Sequence, residues 1–155
     1  MTDVGSMAPD AAFDLADGTR SSIAAYRGKP LVLYFYPKDD TPGCTNEAKA
    51  FSALMPDFAK AGVAVVGASK DSVKSHAKFI AKYDLKVALA ADADGSLCEA
   101  FGTWVEKSMY GRQYMGIERA TFLIEADGRI AAVWRKVKVP GHAESVLAAA
   151  TALTA

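Results

Sequence analysis

The sequence predicts a three-layer α/β fold, in which a mixed central sheet carries helices on both faces. Three short apolar runs, at residues 31–36, 63–68 and near 87–91, alternate with two segments in which apolar residues recur at helical spacing. This order favours parallel strands joined by right-handed crossovers. A hairpin signal later in the chain indicates that antiparallel strands complete the sheet.

Each predicted element has its own signal in the chain. Asp17-Gly18 separates two short strand-like runs and predicts an N-terminal β-hairpin. A helix over about 45–60 places its apolar residues along one face, and Gly62 is suited to end it. A second helix is predicted over 73–83, with cap residues at 69–71.

The last part of the chain completes the predicted sheet. Residues 118–125 and 129–135 flank the turn Asp127-Gly128 and predict a hairpin of antiparallel strands. The final helix is predicted from 142 to about 153. Reactive residues in such sheets gather beyond the carboxyl ends of the parallel strands, so we expect a functional site directly after residues 31–36.

Length and composition limit what the chain can do. Its 155 residues suit a single domain over 1–155, and 18 basic residues balance 18 acidic ones, so no net field attracts nucleic acid or an anionic membrane. The N-terminus has neither a basic start nor an apolar run, and two cysteines cannot form a disulfide scaffold. We therefore expect a soluble, cytoplasmic protein.

No cofactor and no metal site are predicted. The chain has no phosphate loop and no dinucleotide-binding glycine fingerprint, and its two histidines, His76 and His142, are isolated in the sequence. No apolar helix face is left over to demand a partner, so we expect a monomer or weak homodimer.

The chemistry of the chain is expected at Cys44. Pro37, Pro42 and Gly43 interrupt the strand pattern before it. Helical spacing resumes at Thr45, which places Cys44 in the first turn of a helix. Unpaired backbone N–H groups and the positive end of the helix dipole stabilise an anion at that position, so Cys44 is predicted to be a nucleophilic thiolate.

The residues around this cysteine resemble those of a known enzyme family. The spacing Pro37-x-x-x-Thr41-x-x-Cys44 is similar to the active-site signature of the peroxiredoxins, and residues 35–45 resemble their bacterioferritin-comigratory (BCP, or PrxQ) subfamily. Residues 5–10, 101–104 and 119–124 extend the resemblance over nearly the whole chain. It implies a thioredoxin-like fold and a thiol-dependent peroxidase that reduces hydrogen peroxide and organic hydroperoxides through a Cys44 sulfenic acid.

The resemblance also implies companions for the cysteine. Arg119 begins a strand that the resemblance places beside the Cys44 strand, where its guanidinium would stabilise the thiolate and the charge that develops on the departing oxygen. Thr41 would hydrogen-bond the peroxide, cap the helix, or do both. Pro37 would either cover the thiolate against water or simply end the strand.

Several neighbouring residues have two interpretations each. Glu47, in the first turn after the cysteine, either braces Arg119 through a charge-assisted bond or faces solvent near the helix dipole. Gly43 is a second supporting candidate. Trp104 and Tyr36 either wall the pocket or belong to the core.

The chain departs from the family where a resolving cysteine is expected. Many relatives carry that cysteine five residues after the nucleophile, where this chain has Lys49, and others carry it at the position of Ile80. The remaining thiol, Cys98, follows a strand that we expect at the sheet edge, and its apolar neighbours predict a buried residue, although it stays a candidate resolving cysteine. We expect a 1-Cys mechanism, in which thioredoxin, glutaredoxin with glutathione, or another thiol reduces the oxidised Cys44.

Two other functions use related chemistry. A thiol–disulfide carrier needs the pattern Cys-x-x-Cys, and here the fourth position is Glu47. A redox-sensing or holdase protein that signals through Cys44 oxidation shares the electrostatics of a peroxidase. It differs in being oxidised stoichiometrically instead of turning over with a reductant.

Overall fold

The structure, a computed structural model, describes residues 2–154, and within them it contains a seven-stranded mixed sheet, a separate two-stranded hairpin and five α-helices. The strands are β1 (Ala12–Leu15), β2 (Arg20–Ser22), β3 (Leu31–Phe35), β4 (Ala64–Ser69), β5 (Ala88–Ala91), β6 (Trp104–Met109), β7 (Arg112–Ile117), β8 (Ala120–Ile124) and β9 (Ile130–Trp134). The helices are α1 (Pro42–Ala53), α2 (Met55–Lys60), α3 (Val73–Tyr83), α4 (Ser96–Ala100) and α5 (His142–Thr154).

The seven-stranded sheet has the order β2-β1-β5-β4-β3-β8-β9. Its centre is parallel, since β4 pairs in parallel with β3 and β5, whereas the strands on both sides are antiparallel. The predicted mixed sheet and both predicted hairpins are therefore confirmed. The expectation that the third parallel strand lies at an edge is wrong, because β1 pairs with β5, with Asp14 opposite Ala91, and extends the sheet.

The central strand β3 is buried on both faces, as its unbroken apolar sequence predicts. Leu31, Leu33 and Phe35 point into the core that α4 covers. Val32 and Tyr34 point into the opposite core, which contains α1, α2, α3 and α5. The helices thus cover both faces of the sheet, and each face has its own hydrophobic core.

Aromatic packing fixes α1 against the sheet. The rings of Tyr34 on β3 and Phe51 on α1 are stacked, with centroids 4.6 Å apart. The Tyr34 ring has room because the neighbouring residue on β4 is Gly67: a Cβ atom there would lie 2.5 Å from Tyr34 Cζ. We conclude that Gly67 is required for this packing, and through it for the position of α1.

The predicted helix over 45–60 is in fact two helices. α1 begins at Pro42, in the first helical turn where proline needs no hydrogen-bond partner for its nitrogen. The helix ends at Ala53, and α2 begins again at Met55. Pro56 explains the interruption, because it lacks the N–H group that a continuous helix would require there.

The bounds of α3 are those predicted, but its cap is not. Ser72 precedes the helix, and its hydroxyl accepts a hydrogen bond of 3.1 Å from the backbone N–H of Ser75. Ser69 and Asp71, predicted among the cap residues, instead bond to each other, with Ser69 Oγ donating to Asp71 Oδ2 at 2.7 Å.

The β6–β7 hairpin was not predicted. Its turn contains Tyr110 and Gly111, both with positive φ (53° and 76°), a conformation that glycine adopts readily and tyrosine adopts rarely. Gly111 between two strand-forming runs was the available signal. Helix α5 begins at the predicted residue, and among residues 2–154 no helix is both long enough and apolar enough to cross a bilayer.

His142 connects the start of α5 to the central sheet. Its Nε2 atom lies 2.8 Å from the hydroxyl oxygen of Thr121 on β8, and its ring packs edge-on against Phe51 and Trp134. Burial, assisted by the positive charge of Arg119, lowers the pKa of His142 from 6.5 to about 4. The imidazole is therefore uncharged in the folded protein at neutral pH.

We predict that His142 makes the fold sensitive to mild acid. Because the pKa is lower in the folded state, the unfolded chain binds more protons between pH 6.5 and about 4. The stabilisation is fully present above this range and is lost as the pH falls through it, by up to about 3 kcal/mol. Urea unfolding of the parent protein and His142→Gln should show that the free energy of unfolding of the parent, relative to that of the variant, decreases as the pH falls through this range. Parallel profiles would contradict the assignment.

Candidate active site

Cys44 is the third residue of α1, as the sequence predicts, and it is 2% exposed. Thr41 directly precedes the helix in an extended conformation, and its carbonyl accepts a hydrogen bond of 2.8 Å from the Thr45 N–H group. This is the first hydrogen bond of the helix, so the N–H groups of Gly43 and Cys44, which come before it, have no partners within the helix. This part of α1 stabilises negative charge on the sulfur.

Arg119 joins the cysteine to a buried carboxylate. Its Nη2 atom donates a hydrogen bond to Cys44 Sγ at 3.3 Å, and its Nη1 atom donates one to Glu47 Oε1 at 2.6 Å. Arg119 reaches this position because it directly precedes β8, which pairs with β3 so that Ala120 lies opposite Phe35. The geometry predicted for the guanidinium is therefore present.

Glu47 braces Arg119, and the alternative of a solvent-facing glutamate is wrong. Its side chain is 1% exposed, and among the described residues its Oε2 atom has no hydrogen-bond partner. Burial raises the pKa of the Glu47 carboxyl to about 7, although the positive charge of Arg119 acts in the opposite direction. Ionised Glu47 therefore depends on the guanidinium for its only compensating charge.

Gly43 allows the guanidinium to approach the helix. A Cβ atom at this position would lie 3.2 Å from Arg119 Nη2, closer than an ordinary van der Waals contact. A larger residue would displace the same nitrogen that donates to Cys44.

Thr41 and Pro37 lie in the segment that joins β3 to α1. The Thr41 hydroxyl donates to the Lys38 carbonyl at 2.8 Å and makes no hydrogen bond to the helix N–H groups, so the capping alternative is wrong. Pro37 is exposed, and β3 has already ended at Phe35. With Lys107 on β6, Pro37 lines an open depression.

The two aromatic candidates have different environments. Tyr36 is 1% exposed and donates its hydroxyl hydrogen to Asp39 Oδ1 at 2.6 Å, so it belongs to the core. Trp104 is half-buried and lines the same depression as Pro37, with the Nζ atom of Lys70 at 3.8 Å from the ring centroid.

Cys98 is a buried hydrophobic residue, as predicted. It is 0% exposed and lies in the core on the α4 face of the sheet, whereas Cys44 lies in the core on the opposite face. Burial, together with the carboxylate of Asp92, raises the pKa of the Cys98 thiol well above its ordinary value. At the two positions where relatives carry resolving cysteines, Lys49 is exposed on α1 and Ile80 is half-buried on α3.

A buried polar cluster beside the site was missed. The expectation that His76 is isolated is wrong in space, because ligand-type atoms of Asp39, Asp71 and His76 lie within 4.8 Å of one another. Asp39 is 32 residues from Asp71 and 37 residues from His76 in the sequence, so no local spacing could reveal the cluster. Their atoms are occupied by hydrogen bonds to one another and to the hydroxyl groups of Ser69 and Ser75.

Comparison with known proteins agrees with this geometry. A model of the AhpC/TSA family matches residues 4–133. The chain is 52% identical to peroxiredoxin Bcp of Xanthomonas campestris pv. campestris over 153 residues, which cover 96% of each protein.

Solved structures are similarly close. A cysteine-to-serine mutant of Xylella fastidiosa PrxQ, 42% identical in sequence, superposes with a TM-score of 0.94 over 100% of this chain and 99% of that one. The bacterioferritin comigratory protein of Xanthomonas campestris, studied for its alkyl peroxide reduction activity, is 50% identical and gives a TM-score of 0.89 over 94% and 92% of the two chains.

The likeness thus extends along nearly the full length of these relatives, in sequence and in fold. The thioredoxin-like fold implied by the sequence is confirmed. The chain belongs to the AhpC/TSA family and, within it, to the Bcp or PrxQ peroxiredoxins, and it is a thiol-dependent peroxidase.

Proposed function

We propose that Cys44 is the peroxide-attacking residue of this peroxidase, that Arg119 activates it, and that an external thiol regenerates it. The observation that carries this proposal is the 3.3 Å hydrogen bond from Arg119 Nη2 to Cys44 Sγ in the first turn of a helix. A guanidinium and a helix N-terminus together favour the thiolate, which is the nucleophilic form of cysteine.

The reaction can be written with the atoms of this site. The thiolate sulfur attacks the terminal oxygen of a hydroperoxide, an S–O bond forms, and the O–O bond breaks. The sulfur is oxidised to a sulfenic acid. The departing alkoxide or hydroxide takes up one proton, which balances the proton that the thiol lost when it became a thiolate. Arg119 stabilises the negative charge first on sulfur and then on the two oxygens, because its donors are already oriented by Glu47.

Thr41 and Pro37 are assigned complementary roles. Since the Thr41 hydroxyl hydrogen is donated to the Lys38 carbonyl, its oxygen is left to accept a hydrogen bond from the hydroperoxide. Pro37 has no N–H group and therefore borders the thiolate without offering a competing donor. Gly43 contributes by leaving space for the guanidinium.

The substrates proposed are hydrogen peroxide and organic hydroperoxides. The Xanthomonas campestris relative is described as having alkyl peroxide reduction activity. In this protein, the depression that includes Pro37 is lined partly by apolar side chains, those of Trp104, Met115 and Ile117. Such a surface suits the hydrocarbon part of an organic hydroperoxide.

Regeneration is proposed to follow a 1-Cys scheme. A disulfide requires Cα atoms within about 6.8 Å, and a thiol on the opposite face of the sheet cannot approach Cys44 without unfolding. An external thiol therefore attacks the sulfenic sulfur, releases water and leaves a mixed disulfide, which a second thiol reduces. Thioredoxin, or glutaredoxin with glutathione, is the proposed class of reductant.

Location and assembly are part of the same proposal. Two unpaired cysteines suit a reducing compartment, so we propose the cytoplasm. The large apolar side chains that are strongly exposed lie in two small groups, near the N-terminus and on the β6–β7 hairpin. This distribution favours a monomer or weak homodimer.

We predict that Cys44→Ser abolishes peroxide consumption while Cys98→Ser, the matched control, retains it. A coupled assay with hydrogen peroxide and a thiol reductant measures both. Repeated turnover of the parent protein also distinguishes a peroxidase from a sensor, which would consume about one equivalent. Full activity of Cys44→Ser would exclude the assignment.

We predict that Arg119→Met slows the reaction of Cys44 with peroxide by about 100- to 1000-fold, because loss of one preorganised donor costs about 2.7–4 kcal/mol of transition-state stabilisation. Stopped-flow oxidation and the rate of alkylation by iodoacetamide should both fall. Arg20→Met makes the same change at an exposed arginine on β2, at the edge of the sheet, and serves as the control. Equal rates for the two variants would refute the role of Arg119.

We predict that one equivalent of peroxide adds one oxygen atom to the intact protein when no reductant is present. Intact-mass analysis distinguishes this sulfenic acid from an internal disulfide, which would remove two hydrogen atoms. Cys98→Ser should give the same mass increase as the parent protein. An intramolecular Cys44–Cys98 peptide would overturn the 1-Cys scheme.

A further inference from the structure

The loop that joins β3 to α1 is tied to α3 through a buried carboxylate. Asp39, 7% exposed, accepts a hydrogen bond from the Tyr36 hydroxyl at Oδ1 (2.6 Å). Its other oxygen, Oδ2, accepts one from Ser75 Oγ (2.7 Å) and lies 2.7 Å from His76 Nδ1. Three donors, one from the residue that follows β3 and two from α3, therefore converge on one side chain.

The histidine in this cluster is fixed at both ring nitrogens. His76 is 0% exposed, and its Nε2 atom lies 2.9 Å from the carbonyl oxygen of Ala90. A carbonyl only accepts, so Nε2 carries a hydrogen. Two lone pairs cannot face each other at 2.7 Å, so a proton also lies between Nδ1 and the Asp39 carboxylate. The pair is thus held by a buried hydrogen bond.

The backbone of the loop is fixed at the same residue. The N–H group of Asp39 donates to Asp71 Oδ2 at 2.9 Å, and the same oxygen accepts a bond of 2.7 Å from Ser69 Oγ at the end of β4. Both the main chain and the side chain of Asp39 are therefore bonded to residues outside the loop, Asp71 and those of α3.

This anchor lies two residues before Thr41. The carbonyl of Lys38, the residue before Asp39, accepts the Thr41 hydroxyl hydrogen at 2.8 Å, so the path of the loop at 38–39 sets the direction of the Thr41 lone pairs. Neither Asp39 nor His76 has a hydrogen bond to Cys44 or Arg119 among the described residues. The anchor can act on the peroxide-binding side of the site without acting on the cation.

The next residue provides a contrast. Asp40 has positive φ (58°) and also binds α3, accepting hydrogen bonds from Lys82 Nζ at 2.7 Å and Tyr83 Oη at 2.6 Å. These contacts are exposed, and exposed ion pairs contribute little. Both aspartates accept hydrogen bonds at both carboxylate oxygens, but those of Asp39 are buried.

We propose that Asp39 and His76 form a positioning unit that holds the β3–α1 loop so that Thr41 meets the peroxide, while thiolate activation stays with Arg119. The inference rests on the proposed function of Cys44 and Thr41. It implies that α3 influences the rate of the reaction, although none of its atoms takes part in it.

The experiment compares two rates at the same thiol, in a Cys98→Ser background. Asp39→Asn and His76→Leu should slow oxidation of Cys44 by hydrogen peroxide about 10- to 100-fold, as expected for misplacement near 1 Å. Alkylation by iodoacetamide, which needs the thiolate but not Thr41, should stay within about twofold of the parent rate. Asp40→Asn is the matched control and should change neither rate.

A conservative variant keeps the test independent of folding. His76→Asn places an amide donor near the position of Nδ1 and should restore much of the peroxide rate lost in His76→Leu. Unchanged peroxide rates in Asp39→Asn and His76→Leu would overturn this inference alone, and so would equal losses in both reactions. A parent protein in which Cys44 is alkylated but does not react rapidly with peroxide would overturn the proposed function as well.

Discussion

The guanidinium of Arg119, held between a buried carboxylate and the sulfur of Cys44, is the interaction on which the site depends. Burying the carboxylate opposes its ionisation: the pKa of Glu47 is raised to about 7 because the carboxyl is buried. The folded protein binds more protons than the unfolded chain between pH 4.5 and about 7, so this carboxyl contributes stability below that range and loses it as the pH rises. A buried ion pair is rarely a net source of stability. We attribute its presence to the orientation that it gives Arg119.

The sheet separates the two thiols of the chain and brings the reacting groups together. Antiparallel pairing of β8 with β3 delivers Arg119 to the end of β3, where α1 begins with Cys44 in its first turn. The alternation of side chains along β3 gives the sheet two cores, and Cys98 lies in the one that does not contain Cys44. The same topology therefore accounts for the proposed activation of Cys44 and for the burial of Cys98 away from it.

Sequence reasoning succeeded where a signal was local and failed where it depended on distant pairing. The apolar run of β3, the bounds of α3 and the helix-start position of Cys44 follow from short patterns. The interior position of β5 could not be predicted in this way, since it arises from pairing with β1, which lies far earlier in the chain. The Asp39–His76 contact likewise joins residues 37 positions apart. The break before Pro56 was readable from a single residue.

The proposed activation of Cys44 requires Glu47 to act through Arg119. A double-mutant cycle tests it most directly, using the rate of iodoacetamide alkylation of Cys44 in the parent protein, Glu47→Gln, Arg119→Met and the double variant, all in a Cys98→Ser background. We expect each single substitution to slow alkylation, and the double variant to react no more slowly than Arg119→Met alone. If Glu47→Gln slows the Arg119→Met protein by the same factor as it slows the parent, the two residues act independently and the account is wrong.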